Sequence, residues 1–585
     1  MKLTRIKIEN YRSIKSLEFR PKKLCAIVGE NNVGKSNIFS ALNFILGPTF
    51  PTEKGLGNDD FYLRDPKKKI KIEVDLEIFE SASPENITLS FSWDDTAKGG
   101  PRYSLRKFSN SHPSYINDEE RQEYALVHLG ADRKISEYMP SNRWTLLGRL
   151  LLDINEEFKS DPSRVVNFEA EMKKIRDELL FNVEGFRELV KIVKDESARQ
   201  LSKSPDDFEV DFQLYDPWHF YRTLQIIVKE AIKKGEDKMS FQASQMGMGL
   251  QSSLTIALLR AYAKIKKSDT AVIAIEEPEI FLHPQAQRHF YNLLRKIAYP
   301  SHDEGIQIIY CTHSPLFVDV EYFDEVCLVR KDFDEKGEAT TTVTQLNVQS
   351  FIEDLKARKD KDATEESIRE RFRNAFTPRR NEGFFAKKVV LVEGETEEYA
   401  LSIYADALGY NFDSNGISVI SVGGKNELDR LFRIFNEFAI PSYIIFDGDK
   451  GKDPDEKSKE QTQQLLKMFN EPDNGPDNYY PATNVKDRYA VFEVDFETTL
   501  KKEQPLYARF ETDAKRELGL KDDEGKGMRA RLAAIKLINK GQAENDRSKY
   551  IPPTIKKIVE KIKSLSWYGS VLKKVEETAE EDIPF

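Results

Sequence analysis

The chain has 585 residues, of which 39% are hydrophobic and 32% charged, and its formal net charge is -10. The length is several times the ~150 residues of a typical domain, so we expect two to four compact units. The negative charge gives no general attraction to polyanions, and nucleic acid would have to be bound through local basic patches or metal ions. The sequence lacks an apolar run of about 18 residues and begins with an alternating pattern, which predicts neither a membrane span nor a signal peptide. We therefore expect a cytoplasmic protein.

The first predicted elements are β-rich segments at residues 3–8, 23–28, 69–78 and 87–92 and a helix over 36–46. The loop GENNVGKSN joins the second strand to this helix and fits the pattern G-x-x-x-x-G-K-S. A strand, a glycine loop and a helix in this order are the context of a nucleotide-binding loop. We therefore expect ATP to bind here.

In such a loop, glycines let backbone N–H groups curl around phosphate oxygens, a lysine meets the β and γ charges, and a hydroxyl binds Mg²⁺. Lys35 is the lysine and Ser36 supplies the hydroxyl. The candidate ATP-binding residues of the loop are Gly29, Asn32, Gly34, Lys35, Ser36 and Asn37.

Three cysteines, Cys25, Cys311 and Cys327, lie far apart inside apolar runs. None of their spacings matches a zinc site or a disulfide framework. We expect them to be core residues in a reducing compartment.

From about residue 144 to 200 the pattern changes to charged segments with apolar residues three and four apart. We interpret this part as a helical insertion that offers a surface for a symmetric dimer. A further helix is predicted over 250–264. Gly247 and Gly249 lie at its start, where glycine would let backbone amides approach a phosphate.

Two polar motifs then end buried strands. AVIAIEEPE places Glu276 and Glu277 after an apolar run, where unpaired carboxylates are costly unless they serve a cation. We expect Glu276 to contact Mg²⁺ through water and Glu277 to polarise the attacking water. IIYCTHSP places His313 in a similar position, suited to sensing the γ-phosphate. The alternative for His313 alone is a histidine that only completes a strand end.

After a predicted hairpin at about 326–348, a polar stretch over 354–383 favours a solvated helix and a linker. A second α/β pattern follows. KKVVLVEGETEE places Glu393 just past an apolar strand, with Glu397 four residues later. The segment from 450 to 485 is predicted to be rich in loops.

SYIIFDGDK repeats the arrangement with Asp447 and Asp449. Parallel strands end at the same edge of an open sheet, which is where such sheets bind ligands. A third cluster, VFEVDFE, offers Glu493, Asp495 and Glu497, which share one face if this segment is extended.

So many carboxylates can lie together mainly when divalent cations neutralise them. Oxygen ligands without clustered histidine or cysteine favour Mg²⁺ or Mn²⁺ over zinc. Two such ions can activate a water molecule and stabilise the leaving oxygen of a phosphodiester. The acidic clusters of the second α/β pattern therefore predict nuclease chemistry.

The order of the glycine loop, the paired acids and the histidine resembles the ABC-type ATPase heads of the SMC, RecF and OLD (overcoming lysogenization defect) families. SQMGMGLQSSLTIALLRAY resembles the signature segment of OLD proteins, and the resemblance implies that Gly247 and Gly249 help to cap a nucleotide bound to a second subunit. The chain departs from the usual pattern because the first of the paired acids is a glutamate. VHLGADRKISEY resembles a segment of related heads, in which Arg133 is a candidate phosphate contact or, alternatively, part of a structural ion pair.

The trio of E-G-x-x-E, V-G-G and D-x-D resembles the Toprim fold of topoisomerases, primases and OLD nucleases. By position, the implied metal ligands are Glu393, Glu397, Asp447, Asp449, Asp495 and Glu497. The resemblance also implies a basic catalytic residue, for which we choose Lys526.

Together the two blocks resemble an OLD-family nuclease along nearly the whole chain. The implied fold class is α/β, an ABC-type ATPase head with a helical dimerisation insertion followed by a Toprim α/β domain. The predicted segments are 1–140 for the N-terminal lobe of the head, 141–215 for the insertion, 216–380 for the C-terminal lobe, and 381–585 for the Toprim domain with a C-terminal helical region.

The leading hypothesis is an ATP-regulated, Mg²⁺- or Mn²⁺-dependent endonuclease acting on double-stranded DNA by a two-metal mechanism, in anti-phage defence or DNA processing. Its predicted catalytic residues are Glu393, Asp447 and Lys526, with Glu277 and His313 acting on ATP. We expect a homodimer or higher homo-oligomer, and a helicase partner is left open. The alternative is a DNA-binding ABC-type ATPase scaffold with a RecF- or SMC-like repair role, whose Toprim domain is not itself a nuclease. A Toprim nuclease directed at RNA is a third hypothesis.

Overall fold

The computed structural model describes residues 1–47, 49–78, 85–94, 102–109, 112–121, 124, 126–132, 145–201, 203–208, 216–221, 223–230, 238–265, 272–301, 305–358, 362–373, 377–452, 456–472, 479–521 and 524–572. The chain divides into two compact units. The first unit comprises Met1–Arg12 and Ser36–Tyr310, and the second comprises Ser13–Lys35 and Cys311–Phe585. This division does not follow the four segments predicted from the sequence, whose boundaries stay a prediction.

The described strands are β1 (Lys2–Tyr11), β2 (Ile14–Phe19), β3 (Leu24–Val28), β4 (Ile70–Ile78), β5 (Glu85–Asp94), β6 (Arg102–Ser109), β7 (His112–Tyr115), β8 (Leu126–Leu129), β9 (Ile227–Glu230), β10 (Met239–Gln242), β11 (Val272–Glu276), β12 (Gln307–Cys311), β13 (Val326–Phe333), β14 (Ala339–Gln345), β15 (Lys388–Val392), β16 (Ile417–Ser421), β17 (Ser442–Asp447), β18 (Asn484–Val485) and β19 (Tyr489–Phe492).

The described helices are α1 (Lys35–Leu46), α2 (Asp118–Arg121), α3 (Leu146–Lys159), α4 (Pro162–Ile175), α5 (Glu184–Leu201), α6 (Trp218–Tyr221), α7 (Met248–Ile265), α8 (Pro284–Ala298), α9 (Val348–Arg358), α10 (Glu365–Arg373), α11 (Pro378–Asn381), α12 (Glu395–Ala407), α13 (Lys425–Glu437), α14 (Glu456–Met468), α15 (Phe496–Glu503), α16 (Pro505–Glu517), α17 (Lys526–Ala543) and α18 (Pro553–Ser564).

In the first unit, β1, β4, β5, β6 and β7 pair in that order as an antiparallel sheet. The residues of β4 alternate between buried and half-buried, which is the pattern of a strand with one face on a core. Phe91 of β5 packs edge to face on Phe44 of α1, with ring centroids 4.8 Å apart. The buried face of this sheet therefore lies against the helix that follows the glycine loop.

The predicted helical insertion corresponds to α3, α4 and α5. The side chain of Thr145 caps α3 by accepting from Gly148 N, and Asp161 caps α4 ahead of Pro162, so both helices begin at residues suited to that position. Leu189 and Ile192 of α5 are both 53% exposed. The proposed role of this surface in dimerisation stays a prediction.

In the second unit, the five residues of β3 are all buried, as a strand inside a sheet requires. This strand is parallel to β13, which forms an antiparallel hairpin with β14. The strand and the hairpin predicted from the sequence are thus confirmed. Cys25 Sγ and Cys327 Sγ lie 3.5 Å apart across the strands, and the three cysteines are buried thiols.

The second unit also contains a sheet with the strand order β16, β15, β17, β19, β18. The first four strands are parallel, and only β18 is antiparallel to its neighbour. One face is covered by α12, α17 and α18, because their apolar residues form a continuous core with Val390, Val392 and Tyr443 of the sheet. The carboxyl ends of the four parallel strands therefore share one edge, which positions the acidic residues that follow them.

The excursion at 450–485 is less irregular than predicted. Residues 456–468 form α14, although five of its first seven residues are charged or glutamine. Leu465 and Leu466 are buried. Two adjacent leucines do not make the repeating apolar pattern from which a helix is predicted. Within the described ranges, no helix has the length and apolar character needed to cross a membrane.

Candidate functional site

The glycine loop has the backbone that its sequence predicts. Gly29 and Gly34 have φ values of +152° and +107°. A Cβ on Gly29 would lie 2.2 Å from Val329 O, and one on Gly34 would lie 2.4 Å from Thr341 Oγ1. Both positions therefore require glycine, because the β13–β14 hairpin packs directly on the loop.

Lys35 lies at the junction of the loop and α1 and is only 6% exposed. Its Nζ donates to Gly29 O at 3.0 Å and to Glu30 O at 2.7 Å. Asn32 takes a positive φ of 62° within the loop. The amine is thus held beside the backbone that would receive a phosphate, while Ser36 and Asn37 follow in the first turn of α1.

The first unit holds the paired acids. Glu276 is the last residue of β11, and its Oε1 lies 2.9 Å from Nε2 of His128 on the neighbouring parallel strand β8. Glu277 follows with a positive φ of 46°, a strained conformation that tends to occur at functional turns. His128 was not predicted from the sequence, although it lies in the same VHLGADRKISEY segment as Arg133. Arg133 itself lies outside the described residues.

Three other residues predicted to contact the nucleotide are exposed to solvent. Gly247 and Gly249 are exposed at the start of α7, and a Cβ on Gly247 would meet no atom within 4 Å. His313 is exposed in the second unit. The backbone N–H of the preceding residue, Thr312, donates to Ile27 O of β3 at 3.2 Å. His313 is therefore next in sequence to a residue bound to the strand that leads into the glycine loop.

The acidic residues after the parallel strands are brought together. Glu393 follows β15, and its Oε2 accepts from the backbone N–H of Asp447 at 3.2 Å. Asp447 ends β17, and its Oδ1 accepts from Phe496 N at 3.1 Å. Gly448 allows the D-G-D turn, since a Cβ there would lie 2.7 Å from Phe492 O. These bonds tie the ends of β15 and β17 to each other and to the start of α15.

Glu397 lies in the first turn of α12 and is only 4% exposed. Its Oε2 has no hydrogen-bond partner among the described residues, which is unusual for a buried carboxylate. Beside it, Thr396 Oγ1 donates to Glu497 Oε1 at 3.1 Å. Glu397 and Glu497 therefore form a second pair of carboxylates beside Glu393 and Asp447. In this second pair, Oε2 of Glu397 is buried without a hydrogen-bond partner among the described residues.

The electrostatic effects confirm that these acids are neighbours. Burial, together with repulsion from Glu497 and Glu393, raises the pKa of Glu397 to about 8. Burial also raises the pKa of Asp447 well above its usual range, again with contributions from Glu397 and Glu393. For Glu393 burial raises the pKa against the opposing effect of Lys425. Carboxylates in this condition need a cation or a proton.

Two lysines partly supply that positive charge. Lys425 Nζ lies 2.5 Å from Asp449 Oδ2, while Lys452 Nζ lies 3.3 Å from Asp449 Oδ1 and 2.9 Å from Asp495 Oδ2. Although partial burial raises the pKa of Asp495, hydrogen bonds from Thr498 and Lys452 hold it below its usual value. Neither Lys425 nor Lys452 was predicted from the sequence.

The VFEVDFE segment is not extended along its length, so the condition under which its three acids would share one face is not met. The strand β19 ends at Phe492, and Asp495 instead caps α15 by accepting from Thr498 N at 2.7 Å. Glu493 turns away and pairs with Lys450, so the three acids do not share a strand face. Asp495 and Glu497 still reach the acidic cluster, but from a loop and a helix.

The donor set suits Mg²⁺ or Mn²⁺, because it consists of carboxylate oxygens and includes the unpartnered Oε2 of Glu397. In the part of the chain that the structure describes, no three acidic, histidine or cysteine side chains converge closely enough to enclose one ion as they stand. Lys425 and Lys452 hold some of those oxygens. Lys526 is exposed at the start of α17, and its assignment as the catalytic lysine stays a prediction.

Comparison with known families and proteins agrees with this two-part organisation. The family described as AAA ATPase domain matches residues 1–99 and 101–318, which is more than half of the chain. The family described as overcoming lysogenization defect protein-like, TOPRIM domain, matches residues 384–449. The latter range contains four of the six acids of the cluster, and the former contains the glycine loop and the paired acids.

Three relatives match over most of their length. The chain is 28% identical to an OLD nuclease of Thermus scotoductus, over 85% of this chain and 91% of the relative. It is 24% identical to the Old nuclease of Escherichia phage P2, over 77% of each. It is 23% identical to an endonuclease GajA of Bacillus cereus (strain VD045), over 80% of this chain and 78% of the relative.

The predicted α/β class, an ATPase head followed by a Toprim domain, is confirmed by the order of these two matches and by the strands and helices described above. The chain belongs to the AAA ATPase domain family, whose model matches more than half of it, and its residues 384–449 match the overcoming lysogenization defect (OLD) protein-like Toprim domain.

Proposed function

We propose that this protein is an ATP-regulated, divalent-metal-dependent endonuclease that cuts phosphodiester bonds of double-stranded DNA. The observation that carries the proposal is the set of neighbouring carboxylates at the carboxyl ends of parallel strands, in which Glu397 is buried with an unpartnered oxygen. The relatives, two nucleases and an endonuclease, support the same activity. A role in anti-phage defence or DNA processing is part of the proposal.

Six residues of this cluster are proposed to hold metal: Glu393, Glu397, Asp447, Asp449, Asp495 and Glu497. Two Mg²⁺ or Mn²⁺ ions held there would supply an activated water and neutralise the leaving oxygen. The protein's part is to fix the carboxylates, and it does so through backbone N–H groups, since Glu393 accepts from Asp447 N and Asp447 accepts from Phe496 N. Such bonds hold ligand oxygens in place without adding charge.

In the ATPase domain, the loop glycines and Lys35 are proposed to bind the phosphates of ATP and Ser36 its Mg²⁺. Glu276 and Glu277 are proposed to act in hydrolysis, with His313 sensing the γ-phosphate. We add His128 to this set, because its 2.9 Å contact fixes one oxygen of Glu276 and so orients the other. The signature glycines and the dimer they imply remain part of the proposal.

The test is cleavage of supercoiled plasmid by purified protein with Mg²⁺ or Mn²⁺, with and without ATP. We expect nicked or linear product, no product in EDTA, and loss of cleavage in Glu393→Gln and Asp447→Asn. Glu395→Gln is the matched control, since Glu395 lies on the same turn as Glu393 but is exposed and outside the cluster. Wild-type protein that turns over ATP but cleaves no DNA with either metal would contradict the proposal and favour the ATPase scaffold.

A further inference from the structure

Lys425 is buried against the acidic cluster. It is the first residue of α13, and its side chain is only 3% exposed. Its Nζ lies 2.5 Å from Asp449 Oδ2. Lysine is among the residues least often buried, so this contact calls for an explanation.

Two general effects oppose a lysine at this place. The N-terminus of a helix carries partial positive charge, which disfavours a cation in the first turn. Removing an ammonium group from water is also costly unless a partner of opposite charge is fixed beside it. A lysine without a function would be expected on the exposed side of the helix, where the cost of removing it from water does not arise.

The backbone on the lysine side is held in place. Gly423 and Gly424 have φ values of 81° and 147°, conformations that few other residues adopt. Gly423 N donates to Glu393 O at 3.1 Å. The start of α13, and with it Lys425, is therefore fixed to the residue that follows β15.

The aspartate side is fixed as well. Asp449 has a φ of 55°, an uncommon and costly conformation for a residue other than glycine. Its backbone N–H donates to Val494 O at 2.9 Å. The carboxylate thus faces Lys425 because both main chains are held, and the contact does not depend on two flexible side chains meeting.

The second lysine differs from the first. Lys452 is 44% exposed and divides its contact between Asp449 Oδ1, at 3.3 Å, and Asp495 Oδ2, at 2.9 Å. An exposed ammonium can return to water at little cost, whereas that of Lys425 cannot. Oδ2 of Asp449 therefore faces a cation that stays in place, Lys425, whereas Oδ1 faces one that can be replaced, Lys452.

We propose that Lys425 is a positioning residue that holds Oδ2 of Asp449 and presents Oδ1 to a divalent cation, which takes the place of Lys452. The proposal rests on the proposed metal-dependent function, but it concerns how one ligand is oriented. Lys425 acts through Asp449 and need not touch the DNA.

Mn²⁺ binding to the full-length protein, followed by the EPR signal of free Mn²⁺, tests this without DNA or cleavage. Outer contacts of metal ligands typically contribute 10–100-fold to affinity. We therefore expect Lys425→Met to bind Mn²⁺ about 10-fold or more weakly, and Lys425→Arg to recover part of the loss. Lys452→Met, which removes a competing cation, should bind Mn²⁺ more tightly than wild type.

Two further comparisons decide whether Lys425 acts through Asp449. In an Asp449→Asn background, Lys425→Met should cause little additional loss of Mn²⁺ affinity, because the two changes remove one interaction. In plasmid cleavage at saturating Mn²⁺, Lys425→Met should lower the turnover rate while the DNA concentration at half-saturation stays within about two-fold. A melting temperature close to that of wild type shows that the variant is folded, and Lys425→Gln replaces it if it is not.

Equal or tighter Mn²⁺ binding by folded Lys425→Met or Lys425→Gln would overturn the proposal and leave Lys425 as a simple countercharge. An undiminished further loss in the Asp449→Asn background would also overturn it. Wild-type protein that binds Mn²⁺ but cuts no DNA would refute the proposed nuclease activity while the Mn²⁺ results still decided the role of Lys425.

Discussion

Replacement of Glu397 by glutamine should stabilise the metal-free protein, and only at neutral to alkaline pH. Glu397 is 4% exposed, its Oε2 lacks a hydrogen-bond partner among the described residues, and burial raises its pKa to about 8. In the unfolded chain the same carboxyl titrates near 4.5. Between these two values the folded state holds a proton that the unfolded state has lost.

The sign of the effect follows from linkage. When the folded state binds more protons, the free energy of unfolding falls as pH rises, beginning near the unfolded pKa and levelling off above the folded pKa. The difference between the two values corresponds to about 5 kcal/mol at about pH 9, taken as an upper bound because Glu397 interacts with other acids. Glutamine has no proton to lose, so the variant should escape this loss.

Thermal unfolding in EDTA across a range of pH measures the difference. For a unit of this size ~1 kcal/mol corresponds to roughly 2 °C, so Glu397→Gln should melt up to about 10 °C above wild type near pH 9 and at the same temperature near pH 5. Saturating Mn²⁺ should reverse the order, because wild type gains the metal that the variant binds poorly. Glu395→Gln, an exposed change on the same helix turn, should follow wild type throughout. A melting difference that is independent of pH, or wild type being the more stable near pH 9 without metal, would refute the reasoning.

Three further variants follow from single contacts. Lys35→Ala removes the amine held at Gly29 O and should weaken binding of a fluorescent ATP analogue by about 10-fold or more, so unchanged binding would argue against this loop as the ATP site. His128→Ala frees Oε1 of Glu276 and should slow ATP turnover by about 10-fold with little change in ATP affinity, and a turnover rate equal to wild type would show that the contact is only structural. Gly394→Ala places a Cβ 3.2 Å from Glu397 Oε2 and should lower Mn²⁺ affinity in a calorimetric titration without affecting ATP binding, whereas full Mn²⁺ affinity would mean that the carboxylate can shift aside.

The strand-end acids could be predicted because the signal is local. Each apolar run is followed at once by its acid, and parallel strands must end at one edge, so Glu393 and Asp447 could be placed together without knowledge of the packing. The glycine loop was predictable for the same reason. Its fit to the β13–β14 hairpin, by contrast, depends on Val329 and Thr341, about 300 residues away in the sequence.

The missed residues depend on contacts between distant segments. His128 reaches Glu276 only because β8 and β11 pair in one particular register. Lys425 follows two glycines and resembles an ordinary surface lysine in the sequence. Asp495 alternates with its acidic neighbours in a manner that suits a strand, but it also stands three residues before Thr498, where a helix cap is equally reasonable. In each case the local sequence was compatible with more than one role for the residue, and the tertiary packing determined which role it has.

The proposed control of cleavage by ATP has a short physical route in the second unit. Lys387 Nζ lies 3.5 Å from Glu30 Oε2 of the glycine loop, and Lys387 leads directly into β15, which ends at Glu393. Both side chains are more than half exposed, and an exposed ion pair contributes at most ~1 kcal/mol. This pair alone could therefore change the cleavage rate by no more than about five-fold.

A stiffer contact lies on the neighbouring strand. Arg330, which follows the β13 residue packed on Gly29, donates to Ala439 O, and the chain continues from Ala439 through Pro441 into β17 and Asp447. Burial lowers the pKa of this arginine, so its contact is made largely out of water, where breaking a hydrogen bond is costly. A paired strand is stiff along its length. A shift at the start of β17 therefore also moves Asp447 at its end. Of these two contacts, the one through Arg330 is therefore the better candidate to carry control of cleavage by more than a few-fold.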